Sequence, residues 1–224
     1  NRRLSALRSF YRYALSRELV QKDPAYGVRG PKKEKTLPCF IKERQMEDLL
    51  DGMPWGRDFD SIRNRTILLT FYETGMRLSE LQNLVDADIS VSEQVLKVRG
   101  KRNKQRVIPY GEDLQTAFSD YVTCRNQHVV RQSCHFFVTK KGMEMTQAQI
   151  RYVVERNLRM VSSQKKVSPH VLRHTFATTM LNHGADLESV KRLLGHESLT
   201  TTEIYTHVSF EQLKSEYKMA HPRA

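Results

Sequence analysis

Arg77, Lys101, His170, Arg173, His196 and Tyr205 are the residues of this 224-residue chain whose types together could do chemistry. They stand, in that order, in ETGMRLSEL (73–81), RGKRNKQR (99–106), SPHVLRHTFAT (168–178) and LLGHESLTTTEIYTHV (193–208). Two arginines, a lysine, two histidines and a tyrosine are enough to hold a phosphodiester and attack it with a side-chain oxygen, without calling on a metal. A phosphodiester carries one negative charge, and the five-coordinate state formed on attack carries about two. Fixed cations aimed at the non-bridging oxygens therefore bind the transition state better than the ground state. A phenol, with an ordinary pKa of about 10, attacks at neutral pH only when its proton is taken or its anion is stabilised.

Each residue also has a plainer reading. His170 and Arg173 are three apart, so they are neighbours on one helix face. That helix is otherwise apolar (Val171, Leu172, Phe176, Ala177, Met180, Leu181), and an arginine buried in it needs an anion. The anion could be a phosphate or an internal carboxylate such as Glu80. Arg77 follows Gly75 at a turn into a helix and has Glu80 three residues on. An exposed pair of this kind is worth a few tenths of a kcal/mol. Alternatively Arg77 grips a phosphate oxygen through its planar fork while Glu80 fixes the arginine. Arg99, Lys101, Arg102, Lys104 and Arg106 crowd eight residues between two strand-like runs. They make either a solvated turn or a basic tip that contacts DNA. His196 follows Gly195 at a helix end, where the dipole favours a cation.

The elements that must position these groups are mostly helical. Leu4, Leu7, Tyr11, Ala14 and Leu15 form one apolar face of a helix that should end near DPA (23–25). GVRGPKKEKTLP (27–38) has the Gly, Pro and Lys content of a linker. Helices are expected over 41–53, 59–75 with Gly75 as C-cap, 77–85, 112–124 and 146–161, with a short strand at 135–140. QVLKVRG (94–100) and QRVIPY (105–110) predict a hairpin around the basic turn. Ser168 and Pro169 open the helix that runs to Gly184, and helices over 186–195, 200–208 and 210–219 complete a predominantly helical α+β domain.

The four segments, with their order kept, resemble the tyrosine recombinases, above all the Xer-type branch. The resemblance runs from the linker to the closing HPRA. It implies a catalytic domain over 39–224 with a small antiparallel hairpin or sheet, a linker over 27–38, and in 1–26 the last part of an N-terminal helical DNA-binding domain. It picks Tyr205 from nine tyrosines as the nucleophile, because only this one has the LGHxxLTTTxIYTHV surroundings. Arg77, Arg173 and His196 then hold the phosphate oxygens, His170 is the base and Glu80 supports Arg77. Lys101 matches the lysine that protonates the leaving 5′ oxygen; Arg102 stands where the family usually has glycine, so Lys104 remains the alternative acid. Arg99, Arg102, Lys104 and Arg106 are expected to touch DNA. The implied reaction makes a 3′-phosphotyrosyl link and a free 5′ hydroxyl, with no cofactor. The implied partners are double-stranded DNA with inverted-repeat sites, four protomers of one or two kinds on two sites, a partner recombinase and a DNA translocase. Phe210, Leu213 and Tyr217 form the stripe by which a last helix would dock into a neighbouring protomer. Chromosome-dimer resolution leads, with mobile-element integration and type IB topoisomerase activity as the alternatives.

Composition agrees with a polyanionic partner: 37 Lys and Arg against 25 Asp and Glu leave a net charge of +12. Three cysteines without CxxC spacing argue against a zinc site or a disulfide framework and for a reducing cytoplasm. No apolar run reaches membrane-spanning length and no P-loop occurs. DFD (58–60) and DAD (86–88) are the only tight acidic pairs, and they read as loop and cap carboxylates before metal ligands.

Overall fold

The computed structural model describes residues 2–30, 39–100, 105–164, 166–195 and 210–224. The chain divides into two units between Leu37 and Pro38. In the first, helix α1 spans Arg2–Ser16 and stops well short of DPA. Glu18 takes a left-handed conformation (φ 56°) and the Leu19 N–H reaches back to the Ala14 carbonyl at 2.9 Å. This is a Schellman ending, which closes the helix without a glycine. The following turn is tied by Arg8, which donates to the Val28 carbonyl at 2.7 Å.

The second unit is built around α3 (Phe59–Thr74). Asp58 caps its N-terminus by accepting from the Asp60 and Ser61 backbone N–H groups. Gly75 ends it at φ 56°. Its apolar side chains face inward all round, from Ile67 and Leu68 to Phe71 and Tyr72. The hydroxyls of Thr66, Thr70 and Thr74 are satisfied by the carbonyls of Ile62, Thr66 and Thr70, four residues back. A helix that is buried on every side must absorb its polar groups in this way. Packed against α3 are α5 (Glu112–His128), α6 (Gln147–Val161) and α7 (Pro169–Asn182). Before it, α2 (Glu43–Glu47) runs into a π-helical turn, Asp48–Gly52; after it comes the five-residue α4 (Leu78–Gln82).

A three-stranded antiparallel sheet follows, in the order β1 (Ile89–Ser90), β2 (Val95–Arg99), β3 (Gln105–Pro109). Its register sets Val98 opposite Arg106 and Arg99 opposite Gln105. The expected strand at 135–140 is reduced to isolated bridges, Val85 with His135 and Val138 with Glu144. The reason is side-chain competition for the backbone. The Phe136 carbonyl accepts from the Tyr121 hydroxyl and from Arg125, and the Val138 N–H donates to the same tyrosine oxygen. Phe136 and Phe137 are both buried, so the period-two alternation of a strand is lost.

Ser168 and Pro169 open α7 as expected, and α8 (Leu187–Leu194) is capped by the Asp186 side chain and ends at Gly195, φ 65°. Helix α9 (Phe210–Ala220) lies on α7 and α8 of its own unit. Tyr217 is fully buried there, and its hydroxyl is 3.3 Å from Glu73 of α3. The acidic pairs take structural duties: Asp60 meets Arg63 and Lys140, Asp86 meets Arg125 and Arg131, and Asp88 accepts from the Val85 N–H. Among the described residues no helix is long and apolar enough to cross a membrane.

Candidate active site

Three arginines from three different elements converge on one helix end, and two of them share one glutamate. Arg77 is the N-cap residue of α4, extended at φ −79° and ψ 152°. This leaves Glu80, at the third helical position, free to fold back on it. Glu80 accepts from the Arg77 backbone N–H at 2.7 Å and from Arg77 Nη1 at 2.9 Å. Its other partner is Arg106 of β3, whose Nη1 and Nη2 approach the two carboxylate oxygens at 2.6 and 2.9 Å. The pairing is bidentate and largely buried: the Glu80 side chain is 2% exposed, that of Arg106 14% and that of Arg77 39%. Burial pushes the Glu80 carboxyl up, but the paired bonds and charge of Arg106 and the bonds from Arg77 outweigh it, so its pKa is held below the usual value.

The same guanidinium groups clamp the C-terminus of α8. Arg106 Nε donates to the Leu193 carbonyl at 2.9 Å, Arg173 Nη2 to the Leu194 carbonyl at 2.6 Å, and Arg77 Nη2 to the Gly195 carbonyl at 2.8 Å. These are consecutive residues, and their carbonyls are among the last of the helix, which lack partners further along the chain. The end of a helix carries partial negative charge, so cations are stabilised there. Arg173 also donates to the Gly75 carbonyl, at 2.7 Å, where α3 ends. The buried arginine expected to need an anion is thus held by two helix C-termini, with Glu80 turned to Arg77 and Arg106 instead. Burial first, then repulsion from Arg77 and Arg106, lowers its pKa to about 10, which leaves it charged at neutral pH. Among the described residues three positive groups face one carboxylate, and a surplus of this kind favours an anionic ligand.

His170 lies one turn before Arg173 at the exposed start of α7, edge-on to His174 with ring centroids 5.5 Å apart. Partial burial, then the neighbouring His174 and Arg173, lower its pKa below the usual histidine value. A pKa below the ordinary 6.5 favours its neutral form at pH 7. Arg99 is exposed at the end of β2. Lys101, Arg102, Lys104, His196 and Tyr205 lie outside the described residues. Arg106, expected to reach DNA with its turn neighbours, has Nε, Nη1 and Nη2 all engaged inward. Strand alternation carried the signal: Arg106 shares a face with Ile108, which is buried.

Residues 39–212 match the model of the phage integrase family. The chain belongs to that family, the tyrosine recombinases. Over its whole length the recombinase is 38% identical to tyrosine recombinase XerC of Listeria welshimeri and 37% identical to that of Chlorobaculum tepidum, covering 75% and 73% of those proteins. Among solved structures it resembles the XerA recombinase, with a TM-score of 0.65 at 27% identity, covering 99% of this chain and 76% of the other. It also resembles a XerH recombinase bound to a palindromic difH substrate after cleavage, with a TM-score of 0.69 at 25% identity over 88% of this chain and 57% of that one. A recombinase of this family breaks and rejoins DNA strands, and the predominantly helical α+β fold with its small antiparallel sheet is the family's own.

Proposed function

We propose that the chain is a site-specific recombinase of chromosomal DNA, of the kind that resolves chromosome dimers. The observation that carries this reading is the convergence of Arg77, Arg106 and Arg173 on the end of α8, immediately before His196 in the sequence. A scissile phosphate beside Arg77 and Arg173 meets two guanidinium groups already fixed in place, so little reorganisation is needed as charge builds up on its oxygens. His196 adds a further donor. The Tyr205 oxygen attacks phosphorus, its proton passes to neutral His170, and the bond from phosphorus to the 5′ oxygen breaks. Lys101 gives that oxygen its proton, leaving a 3′-phosphotyrosyl link and a free 5′ hydroxyl. Attack by the 5′ hydroxyl of another strand reverses the step, so the phosphodiester energy is kept.

The chromosomal role is favoured by the XerC relatives that match the whole chain. Resemblance to a Tn1549 transposon integrase keeps mobile-element integration as the second reading, although at 19–21% identity it speaks for the fold alone. Within the reading, residues 39–224 carry catalysis, 27–38 link, and 1–26 are the last part of an N-terminal helical DNA-binding domain; the separation of the two units at Leu37 supports the linker. Four protomers on two sites complete the assembly, with α9 leaving its seat on its own unit to dock on a neighbour. The test is a supercoiled plasmid carrying two directly repeated copies of the host's chromosomal inverted-repeat site. Resolution into two circles is expected; relaxation independent of the site would instead mark a topoisomerase.

A further inference from the structure

We propose that the carboxyl of Glu73 is a proton-operated latch on α9: the helix stays seated on its own unit while the carboxyl holds its proton, and loss of that proton favours release. The use of such release in assembly rests on the four-protomer reading above; the latch itself is a property of the single chain. Glu73 lies one residue before the end of α3, fully buried. Its Oε2 accepts from the Gly111 N–H, at the start of α5, at 3.0 Å and from the Tyr217 hydroxyl of α9 at 3.3 Å. Oε1 has no hydrogen-bond partner among the described residues. The closing residues seal the seat. His221 stacks on Tyr217 with ring centroids 5.2 Å apart, and its Nε2 lies 3.3 Å from the Tyr72 carbonyl oxygen. A Cβ on Gly111 would collide with the Arg223 carbonyl, so the backbone of the tail lies directly on the start of α5.

This seat suits a neutral acid better than a carboxylate. Among the described residues no cation bonds to Glu73: Arg223, the positive group that acts on it, is paired with Asp51 and Asp113, and Asp113 opposes a second negative charge. An ionised carboxyl would be a buried charge with two donors on one oxygen and none on the other, which is costly. Burial pushes its pKa up to about 8. The tyrosines of the seat do not titrate in its place: burial pushes Tyr72 and Tyr110 up to about 12 and Tyr217 well above its ordinary 10. His221 works in the opposite sense, since burial lowers its pKa to about 3 and release lets it take up a proton below its ordinary 6.5. Once α9 lifts, water reaches Glu73 and its pKa returns to the ordinary 4.5. The seated pKa is the raised one, so the contribution of Glu73 to seating is complete below 4.5 and is lost as pH rises through 8. One proton leaves on opening, so between these values the Glu73 contribution raises the open fraction roughly tenfold per pH unit.

The experiment is amide hydrogen exchange of α9 in the intact, DNA-free protein at about pH 6, 7 and 8, beside Glu73→Gln. Glutamine keeps the shape of the neutral acid and cannot ionise. The ratio of wild-type to variant rates therefore cancels the intrinsic pH dependence of exchange and the contribution of His221. That ratio is expected to rise roughly tenfold from pH 6 to 7 and several-fold again by pH 8, while the amides of α3 stay protected. If the glutamine variant does not fold, wild-type rates divided by those of an unstructured peptide carry the same test between about pH 7 and 8, where His221 is mostly neutral seated or released. A ratio that does not change with pH, or α9 amides that exchange only together with those of α3, would overturn the latch. A ratio that rises as expected, with no four-protomer complex on DNA carrying two sites, would leave the latch standing and overturn the assembly reading instead.

Discussion

Glu80→Gln should make the second unit unfold more easily at pH 7, by a margin that narrows in acid. Among the described residues the carboxylate is the single negative charge paired with Arg77 and Arg106, and its side chain is 2% exposed. Removing one partner of a buried pair costs about 3–5 kcal/mol. Arg77, 39% exposed, lets water reach its own end of the cluster, so the lower figure of about 3 kcal/mol applies. The amide keeps one acceptor, but its NH2 group faces arginine donors and leaves three uncompensated cations. For a domain of this size each kcal/mol moves the melting temperature by about 2–4 °C, which gives a fall of about 6–12 °C. The pH dependence has a fixed sign. The folded-state pKa of Glu80 lies below the ordinary 4.5, so its contribution is complete above that value and is lost as pH falls through the folded pKa. Urea unfolding of the two proteins at pH 7 and at steps below pH 4.5 measures the gap, which should narrow as pH falls through the folded pKa of the wild-type glutamate. A gap under about 1 kcal/mol at pH 7, or one that stays constant with pH, would refute the account of the cluster.

Three further outcomes follow from particular residues. Glu73 is fully buried, its Oε1 has no hydrogen-bond partner among the described residues, and burial, with Asp113 adding, pushes its pKa up to about 8 against the bonds from Gly111 and Tyr217. The folded state then holds a proton that the unfolded state has released, and stability falls as pH rises toward 8; Glu73→Gln should remove about 2 kcal/mol of that fall between pH 6.5 and 8, read from urea midpoints, whereas parallel curves would contradict it. Gly75→Ala forces a side chain onto φ 56° with Cβ 2.5 Å from Phe176 Cδ1 and 2.8 Å from Leu194 Cδ2, and should cost about 2–4 kcal/mol in thermal unfolding; an unchanged melting temperature would show that this close approach is relieved. Arg99→Ala should reduce the slope of log DNA affinity against log salt by about 0.9, measured by titration from low to physiological salt, and an unchanged slope would remove Arg99 from the phosphate contacts.

Local features of this fold were legible in the sequence because each is fixed within a few residues. Gly75 ends α3 in the left-handed region, Ser168 and Pro169 start α7, and the alternation of VLKVR and RVIP gives the hairpin. The Arg77–Glu80 pair is also a local matter of i and i+3. What the sequence hid is set by partners far away. Arg173 finds its acceptors at Gly75 and Leu194, 98 and 21 residues distant, and backbone carbonyls leave no trace in residue type. Arg106 looked like one more cation of a basic turn, although the strand period already placed it on the buried side. The strand expected at 135–140 failed for a similar reason, since Tyr121 and Arg125 take its backbone groups from another helix. Helix α1 ended early because Glu18 adopts a left-handed turn that its sequence does not announce.

The measurement that bears most directly on the central claim is covalent trapping. A labelled nicked duplex bearing the inverted-repeat site is incubated with the protein in the presence of a chelator and resolved on a denaturing gel. A protein–DNA band from the wild-type chain that disappears in Tyr205→Phe, with DNA binding kept, is the predicted result. A band of equal intensity in Tyr205→Phe would contradict the assignment of the nucleophile, and with it the reaction built around the arginine cluster.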